Sequence, residues 1–465
     1  MSPSSAPTLA QLKALGTYGL SRKTGFLPED PPVRRLSQPL YQPWEDLAED
    51  LNALMLAGKL RSRVHALDTL PTDQLVTKPD QQRAFLVLTM ITHAYVWGKL
   101  EPVLDTLPEC LSIPLCTLAN ALGCNPVSCH ASVALWNWKP LDPHDSLDLD
   151  NLAILHTFSG STDEAWFYLV TTAIEAKGGL VISAILDALE QTHSPSPSLP
   201  ALANALDQLK SLIQDITHIL VRMYERCDPY IFFWKVRAYL AGWSNMAVAG
   251  LPNGLHYAGV DAPGTWRQYS GGSAGQSALI HLLDVALSVV HYRTGTSEGR
   301  NSFMDAMREY MPSGHSNYLT DMAKVTNIRS FVSDLEARST RTNEDLQVIR
   351  AYDEAVAALS KFRSEHVRIV TMYIVIPARK GPARGGAPTI QVNQKDDDPS
   401  KDLPLSEDSS DPSSTQDKLK SIGGLARHVS GKVVRGTGGT DVIPFLKQMR
   451  DETLNTRVVP PSKKL

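Results

Sequence analysis

Residues 352–377 read YDEAVAALSKFRSEHVRIVTMYIVIP, and this stretch decides the fold class. Its large apolar side chains fall on one side of a helix, at Tyr352, Val356, Leu359, Phe362, Ile369, Val370 and Tyr373. Such spacing is typical of the buried face of a long α-helix. His366 lies on the same face, four residues after Phe362 and three before Ile369. We therefore predict a helix over about 344–376 that ends at Pro377 and carries a histidine on its apolar side.

A histidine on an apolar face needs a partner for each ring nitrogen, because an unpaired buried polar group is costly. One arrangement places iron at one nitrogen and a water, carbonyl or carboxylate at the other. The alternative is a core histidine with ordinary hydrogen bonds, which is the more frequent case. The spacing alone leaves both interpretations of His366 open.

Helical periodicity recurs along most of the chain. It predicts helices at about 44–55, 80–97, 113–123, 126–138, 163–190, 201–226, 230–243, 276–292, 300–311 and 440–456. The alternation typical of strands is scarce, and a short hairpin around 251–260 is its one candidate. We therefore predict an all-α fold.

Two segments lack this periodicity. Residues 1–45 are rich in Pro and Ser and are expected to form an extended lead-in. Residues 378–427 contain KDDDP and SEDSSDPSS with few large apolar side chains, so they cannot offset their ordering entropy by burial. We predict a mobile surface loop there, followed by a tail that returns to pack on the rest of the protein.

The composition excludes several classes of protein. The chain has 465 residues, of which 43% are hydrophobic and 20% charged, and its net charge is −4, so no basic excess points to nucleic acid or an anionic membrane. The longest apolar runs, such as 369–376, fall short of the roughly 18–20 residues that span a bilayer. No secretory signal is visible at the N-terminus, and the five cysteines match no zinc motif, so we expect a cytoplasmic protein with reduced thiols.

Two glycine-rich segments could approach a ligand. Residues 270–277 read SGGSAGQS before an apolar helix, and residues 436–441 read GTGGTD. Neither matches a phosphate-binding loop or a dinucleotide fingerprint. Turn formation with helix capping is the ordinary interpretation, and closure over a ligand is the alternative.

An arginine follows three aromatic side chains in residues 232–237, FFWKVR. On a helix, Phe233 and Arg237 share a face, with Phe232 beside them. The guanidinium can clamp a carboxylate bidentately while the rings hold an apolar body. A surface arginine that covers core aromatics is the alternative.

These motifs, in this order, resemble the indoleamine 2,3-dioxygenase family. The matching stretches are AYVWGK at 94–99, YLAGW at 239–243, GGSAGQS at 271–277, REYMP at 308–312, HVRIVTMYIVIP at 366–377 and GTGGTD at 436–441. They span roughly 40–460, interrupted by the predicted loop. The resemblance implies a small N-terminal helical domain, placed at 46–150, and a large helical haem-binding domain, placed at 151–465.

The resemblance also implies a role for individual residues. His366 is expected as the proximal iron ligand, with Gly272, Ser273, Asp284 and Arg363 as further haem-binding residues. The substrate-binding residues implied by the family are Arg237, Phe232, Phe233, Phe167, Thr171, Ala274 and Thr437, with His130 at the position of the usual pocket tyrosine. Thr171 stands where serine is more usual. No residue is expected to act as a general acid or base.

The activity implied is insertion of O2 across the C2–C3 bond of L-tryptophan or a related indoleamine, which gives N-formylkynurenine and opens the kynurenine route to NAD. It implies one haem b per chain, ferrous when active, an electron donor that reduces ferric haem, and a monomer. Imidazole is smaller than phenol and can titrate near neutral pH, so His130 bears on substrate affinity and preference.

Three alternatives remain open. The first is a haem-binding sensor with low turnover, and the second is a related enzyme acting on another indole. The third is a helical scaffold without a cofactor. Product formation separates the first from an enzyme, and a Soret band excludes the third.

Overall fold

A computed structural model describes residues 7–98, 102–299, 301–380 and 442–459, and these form a helical protein. The first helices are α1 (Leu9–Lys13), α2 (Gln42–Glu49), α3 (Leu51–Leu56), α4 (Leu60–His65), α5 (Lys78–Trp97), α6 (Glu109–Leu122), α7 (Thr162–Ala176), α8 (Gly178–Thr192) and α9 (Leu199–Val221). They are followed by α10 (Met223–Arg226), α11 (Pro229–Ile231), α12 (Ala278–Ala286), α13 (Ser302–Met307), α14 (Ser313–Val325), α15 (Ile328–Glu336), α16 (Asn343–Val370), α17 (Ile376–Lys380) and α18 (Val442–Asn455). The all-α prediction is confirmed.

The strands are short and lie at the edges of the helical core. β1 (Thr106–Leu107) pairs in parallel with β4 (His256–Tyr257), and β2 (Trp138–Pro140) pairs antiparallel with β3 (Leu152–Ile154). The predicted hairpin at 251–260 is wrong. Its strand residues pair with a segment about 150 positions earlier, a long-range contact that local alternation cannot reveal.

The longest helix, α16, organises the core. It packs lengthwise against α9, which makes the most extensive helix–helix contact, and it also packs against α18. Tyr352, Val356 and Leu359 are fully buried, as the apolar spacing predicted. The helical path then continues past the predicted end at Pro377, because a π-helical turn at Thr371–Val375 leads into α17, where proline occupies the first turn.

The N-terminal segment differs from the predicted extended lead-in. Thr8 caps α1 with a complete capping box, and Leu12 and Phe26 are buried. Gly25 has a φ of +67°, and a Cβ there would lie 2.5 Å from the backbone of Gly178, so this segment packs closely on the start of α8. The segment is rich in Pro and Ser, but its scattered apolar residues contact partners far along the chain. No observation tests the division at residue 150, which stays a prediction.

The helices α4, α14 and α15 were not predicted, and α1 lies in the segment that was expected to be extended. A signal for α15 was present, since the buried residues Ile328, Val332 and Leu335 have helical spacing.

The expectation that no segment could span a bilayer also needs correction. Thr162–Thr192 is long and apolar enough by composition, and 67% of its most apolar window is buried inside the molecule, as expected of a core helix.

Three π-helical turns interrupt helices that the periodicity predicted as continuous. They lie at Ala131–Leu135, Phe232–Val236 and Thr371–Val375, and each contributes a side chain to the wall of one cavity. Such turns are frequent at functional sites because they redirect side chains within a helix. The cavity that these turns line is therefore the candidate functional site.

Candidate functional site

A mostly apolar cavity of about 290 Å³ lies between α7, α12, α16, α18 and the glycine-rich segment 270–277. Its wall contains most of the predicted site residues: His130, Phe167, Thr171, Phe232, Arg237, Gly272, Ser273, Ala274, Arg363 and His366. Phe233 and Asp284 are not in the wall. Thr437 and the rest of the segment 436–441 lie outside the described residues. Side chains separated by more than 200 positions in the sequence are thus gathered around one space.

His366 lies in the last full turns of α16, and part of its ring is open to the cavity. Deep burial lowers the pKa of His366 to about 4, with a further contribution from nearby Arg363, so the imidazole is neutral at neutral pH. Within the described ranges, neither ring nitrogen has a hydrogen-bond partner. The arrangement of an ordinary hydrogen-bonded core histidine is therefore not found there, and a neutral nitrogen is available as a ligand.

Arg363 lies on the same face of α16 as His366, one turn earlier, and also lines the cavity. It forms a buried ion pair with Asp284 of α12. Its Nε is buried and has no hydrogen-bond partner in the part of the chain that the structure describes. The guanidinium thus has a donor to spare beside the cavity, which fits an acidic group of a bound cofactor.

Asp284 lies behind Arg363 in a chain of charges that reaches α18. Its Oδ2 is 3.3 Å from Nε2 of His291, and Nδ1 of His291 is 2.8 Å from Oε2 of Glu452. Burial alone would raise the pKa of Asp284, but Arg363 and His291 outweigh it and hold that pKa well below its usual range. Burial alone would lower the pKa of His291, but Asp284 and Glu452 outweigh it and raise that pKa. Sequence reasoning missed His291 and Glu452, which no periodicity connects.

Arg237 is a buried cation in the wall of the cavity. Desolvation lowers its pKa to about 10, so it remains charged at neutral pH. The ring of Phe233 lies 5.5 Å from its Cζ, which confirms the predicted contact between these two residues but leaves Phe233 outside the cavity wall. The π-helical turn at Phe232–Val236 departs from the α-helical geometry on which the prediction of a pocket role for Phe233 relied.

Aromatic side chains form a continuous part of the wall near Arg237. The rings of Phe167 and Phe232 are 4.7 Å apart between centroids, and the rings of Phe232 and Tyr373 are 5.8 Å apart. Tyr373 was predicted on the apolar face of the helix but not as a site residue. Such a wall matches a flat apolar ligand.

One face of α7 lines the cavity through Phe167, Thr171 and Glu175, which are spaced by four residues. The Thr171 hydroxyl donates to the carbonyl of Phe167 at 2.9 Å, so its hydrogen is already directed into the helix backbone. Glu175 was not predicted, although its position eight residues after Phe167 on an apolar face was a usable signal. It is almost fully buried.

Glu175 joins His130 to the glycine-rich segment. Its Oε1 is 2.9 Å from Nε2 of His130 and accepts a hydrogen bond of 2.5 Å from the hydroxyl of Ser277. The backbone N–H of His130 donates to Oε1 of Gln276 at 3.0 Å. His130 is therefore held by Gln276 directly and by Ser277 through Glu175.

The glycine-rich segment 270–277 has the predicted capping role and also lines the cavity. Ser273 caps a short 3-10 turn and Ser277 caps α12, as the capping interpretation expected. A Cβ on Gly271 would lie 2.0 Å from the carbonyl oxygen of Leu240, so the closest approach is between two stretches of backbone. A Cβ on Gly272 would meet nothing nearer than 4.0 Å, which leaves space beside the cavity.

Two further parts of the wall were not predicted as site residues. His281 lines the cavity, and burial lowers its pKa to about 4 while its Nε2 lies 2.8 Å from the carbonyl of Gly275. Phe445 and Met449 of α18 also line it. The expected return of the C-terminal tail to the protein is thus confirmed.

The residues present fit a haem better than a metal ion held by protein ligands alone. Among the described residues, no group of three or more His, Cys, Asp or Glu side chains is placed to hold a metal ion. His366 would therefore be a single protein ligand, as in many haem sites. The apolar wall, the spare donor of Arg363 and the small side chains at 272–274 suit a large flat cofactor with acidic groups.

Comparisons with known proteins identify a family that this chain resembles over nearly its whole length. A model of the indoleamine 2,3-dioxygenase family matches residues 14–456. The chain is 34% identical over 457 residues to the indoleamine 2,3-dioxygenase of Saccharomyces cerevisiae, covering 96% of this chain and 94% of that protein. It is 34% identical to indoleamine 2,3-dioxygenase 1 of Rattus norvegicus, covering 96% and 97%.

A third relative differs in the substrate that its name gives. The chain is 31% identical over 441 residues to a 6-hydroxytryptophan 2,3-dioxygenase of Fusarium equiseti, covering 94% of this chain and 96% of that protein. The family is haem-dependent, and its named substrates are tryptophan-like indoles. This chain belongs to the indoleamine 2,3-dioxygenase family and is an oxidoreductase of the dioxygenase type.

Proposed function

We propose that this protein binds haem b through His366 and inserts O2 across the C2–C3 bond of L-tryptophan to give N-formylkynurenine, the first step of the kynurenine route. The observation that carries the proposal is the presence of a neutral histidine without a hydrogen-bond partner among the described residues and a buried guanidinium in the wall of one apolar cavity. The neutral nitrogen of His366 suits an iron, and the guanidinium of Arg237 suits the carboxylate of an amino acid.

Several residues would hold the cofactor. His366 would bind the iron through one ring nitrogen, and Arg363 would meet a propionate, kept in place by Asp284. Gly272, Ser273 and Ala274 leave room for the flat ring system. The bound haem supplies the activation of O2, which no amino-acid side chain provides.

The chain's own residues would bind and orient the substrate. The guanidinium of Arg237 pairs with the substrate carboxylate in a site where burial strengthens the interaction. Phe167 and Phe232 hold the indole ring, and the apolar wall excludes water from it. This fixes the ring relative to the cofactor before any bond changes.

Proton donors near the substrate are weak at neutral pH. His281 and His366 are neutral because burial lowers the pKa of each to about 4. The hydroxyl of Thr171 directs its hydrogen at a backbone carbonyl. These features argue against His281, His366 and Thr171 as general acids, which suits transfer of both oxygen atoms to the substrate.

Two experiments in sequence test the proposal. The purified protein is expected to show a Soret band with about one haem per chain. After reduction, in air-saturated buffer with L-tryptophan, it is expected to form a product with the absorbance and mass of N-formylkynurenine. A haem-loaded protein that binds L-tryptophan without turnover would instead support the sensor alternative.

A second candidate is a preference for another indole, because one relative is named a 6-hydroxytryptophan 2,3-dioxygenase. Competition between indoles in one reaction decides between the two. The need for O2 and an electron donor, the monomeric state and the cytoplasmic location remain parts of the proposal, as does the absence of a nucleic-acid or membrane partner.

A further inference from the structure

One ring nitrogen of His130 is held by Glu175, and the other is left at the cavity. Nε2 of His130 lies 2.9 Å from Oε1 of Glu175. Nδ1 makes no hydrogen bond to any residue in the described part of the chain. Since His130 lines the cavity, Nδ1 is the polar atom of this ring that a ligand can use.

The surroundings of Glu175 decide which nitrogen carries the hydrogen. The hydroxyl oxygen of Ser277 accepts from the backbone N–H of Ile280 at 3.3 Å, so its own hydrogen is directed at Oε1 of Glu175. An oxygen that accepts from Ser277 also accepts from His130. Nε2 of His130 is therefore the donor in this contact, and in that tautomer of the imidazole Nδ1 is an acceptor.

His130 and Arg237 lie toward different ends of the cavity. Phe167 and Glu175 both line it from α7 and are eight residues apart, which is about 12 Å along a helix. Phe167 contacts Phe232, whose neighbour Phe233 has its ring 5.5 Å from Cζ of Arg237, whereas Glu175 contacts His130. A ligand whose carboxylate binds at Arg237 thus directs the far edge of its ring toward His130.

The wall near His130 contains the apolar side chains of Val133 and Ile174 together with Glu175, whose Oε2 is buried and has no hydrogen-bond partner among the described residues. Acceptors in such a wall favour a ligand that brings a matching donor, because an unsatisfied polar atom is costly away from water. An unsubstituted indole has no donor on the far edge of its ring. A hydroxyl there supplies one.

We propose that the cavity prefers indole amino acids with a hydroxyl on the far edge of the benzene ring, and that His130 sets this preference through Nδ1. Glu175 is the positioning residue that orients the His130 ring. This specificity rests on the proposed function, since it concerns the same site. It differs from the proposed function in naming a substituent on the substrate and the two residues that select it.

The test compares three ligands that differ at one ring position. These are L-tryptophan, 6-hydroxytryptophan and 6-methyltryptophan, with the 5-substituted pair measured in parallel. The ratio of kcat/KM for the hydroxy compound to that for tryptophan is expected to fall about fivefold to tenfold in His130→Phe, the size of one lost hydrogen bond. The methyl-to-tryptophan ratio is expected to change less than twofold, because methyl is similar in size but offers no donor.

Glu175 is tested through the same ratios. Glu175→Ala frees the His130 ring and is expected to lower the hydroxy-to-tryptophan ratio nearly as far as His130→Phe. Glu175→Gln keeps an acceptor for His130 and is expected to retain the ratio. Equal losses in both Glu175 variants, or a retained ratio in Glu175→Ala, would contradict the positioning role.

Calorimetric binding of the same ligands gives a readout that does not depend on turnover. If haem-loaded protein turns over no indole, the proposed function fails, and the binding ratios still decide the inference. If indoles are turned over but the hydroxy-to-tryptophan ratio is the same in the parent protein and His130→Phe, the inference fails alone. The inference is also overturned if His130→Phe lowers the methyl-to-tryptophan ratio as much as the hydroxy-to-tryptophan ratio, since the size of the pocket would then be the cause.

Discussion

Arg363 and Asp284 form a buried ion pair that connects α16 to α12 beside the cavity, across 79 positions of sequence. The carboxylate also contacts His291, and through it Glu452 of α18. Three helices that line the cavity are thereby joined by charges as well as by apolar packing. The arginine that would meet a cofactor is held by this network.

Removal of one partner from this network should be strongly destabilising. Asp284→Ala leaves Arg363 as an uncompensated buried charge, so we expect a loss of about 3–5 kcal/mol in the free energy of unfolding. Asp46→Ala is the control, because it breaks the exposed pair with Arg35 and should cost about 1 kcal/mol or less. Urea unfolding measures both variants, and equal losses would contradict the structural role of the network.

The contribution of His291 should depend on pH. Its pKa is raised in the folded protein, so its stabilising effect is complete below the unfolded value of about 6.5 and is lost as the pH rises through the folded value. The difference in unfolding free energy between the parent protein and His291→Gln should therefore be larger at pH 6 than at pH 9. If this difference in unfolding free energy grew with pH instead, the pKa of His291 would not be raised in the folded protein.

His366→Ala should abolish stable haem retention, because among the described histidines of the cavity wall only His366 makes no hydrogen bond through either ring nitrogen. The Soret absorbance per chain measures this, with circular dichroism to check the fold. His218→Ala is the control, since His218 is exposed on α9. Full Soret intensity and normal activity in His366→Ala would exclude it as the ligand.

Arg237→Leu should leave the haem content intact and weaken the binding of an amino-acid substrate. Loss of a charge-assisted contact in a buried site costs about 2–5 kcal/mol, which predicts a rise in KM of at least about thirtyfold. Arg237→Lys keeps the charge without the bidentate geometry, so its KM should lie between those of the parent protein and Arg237→Leu. An unchanged kcat/KM in the leucine variant would exclude Arg237 as the carboxylate clamp.

Two adjacent glycines should respond differently to alanine. Gly271→Ala places a Cβ 2.0 Å from the carbonyl oxygen of Leu240, so the backbone must shift, at a cost of about 1–3 kcal/mol or more. Gly272→Ala meets no atom closer than 4.0 Å and should change the melting temperature little. Because Gly272 lines the cavity, its variant should instead alter ligand binding. Equal melting temperatures for the two variants would refute the close backbone approach.

Local sequence predicted much of the secondary structure and little of the site. The apolar spacing in residues 352–370 predicted both the long helix and the face that carries His366, because helical periodicity depends on neighbours three and four positions away. The hairpin at 251–260 and the extended N-terminus were wrong, since Tyr257 and Phe26 are placed by contacts with distant segments. The π-helical turns were likewise not predicted, because a pattern with a period of 3.6 residues does not distinguish them from α-helix.

Six ordered motifs allowed the sequence to indicate the family and ten residues of the cavity wall, including His366, Arg237 and the residues 272–274. Only the tertiary structure decided which side chains complete that wall. Glu175 contacts His130 across 45 positions and Ser277 across 102, and no local pattern connects the three. The reason is that a buried polar atom is satisfied by whichever group the packing brings within hydrogen-bond distance, so the partners of His130 and Arg363 were determined by how the helices assemble.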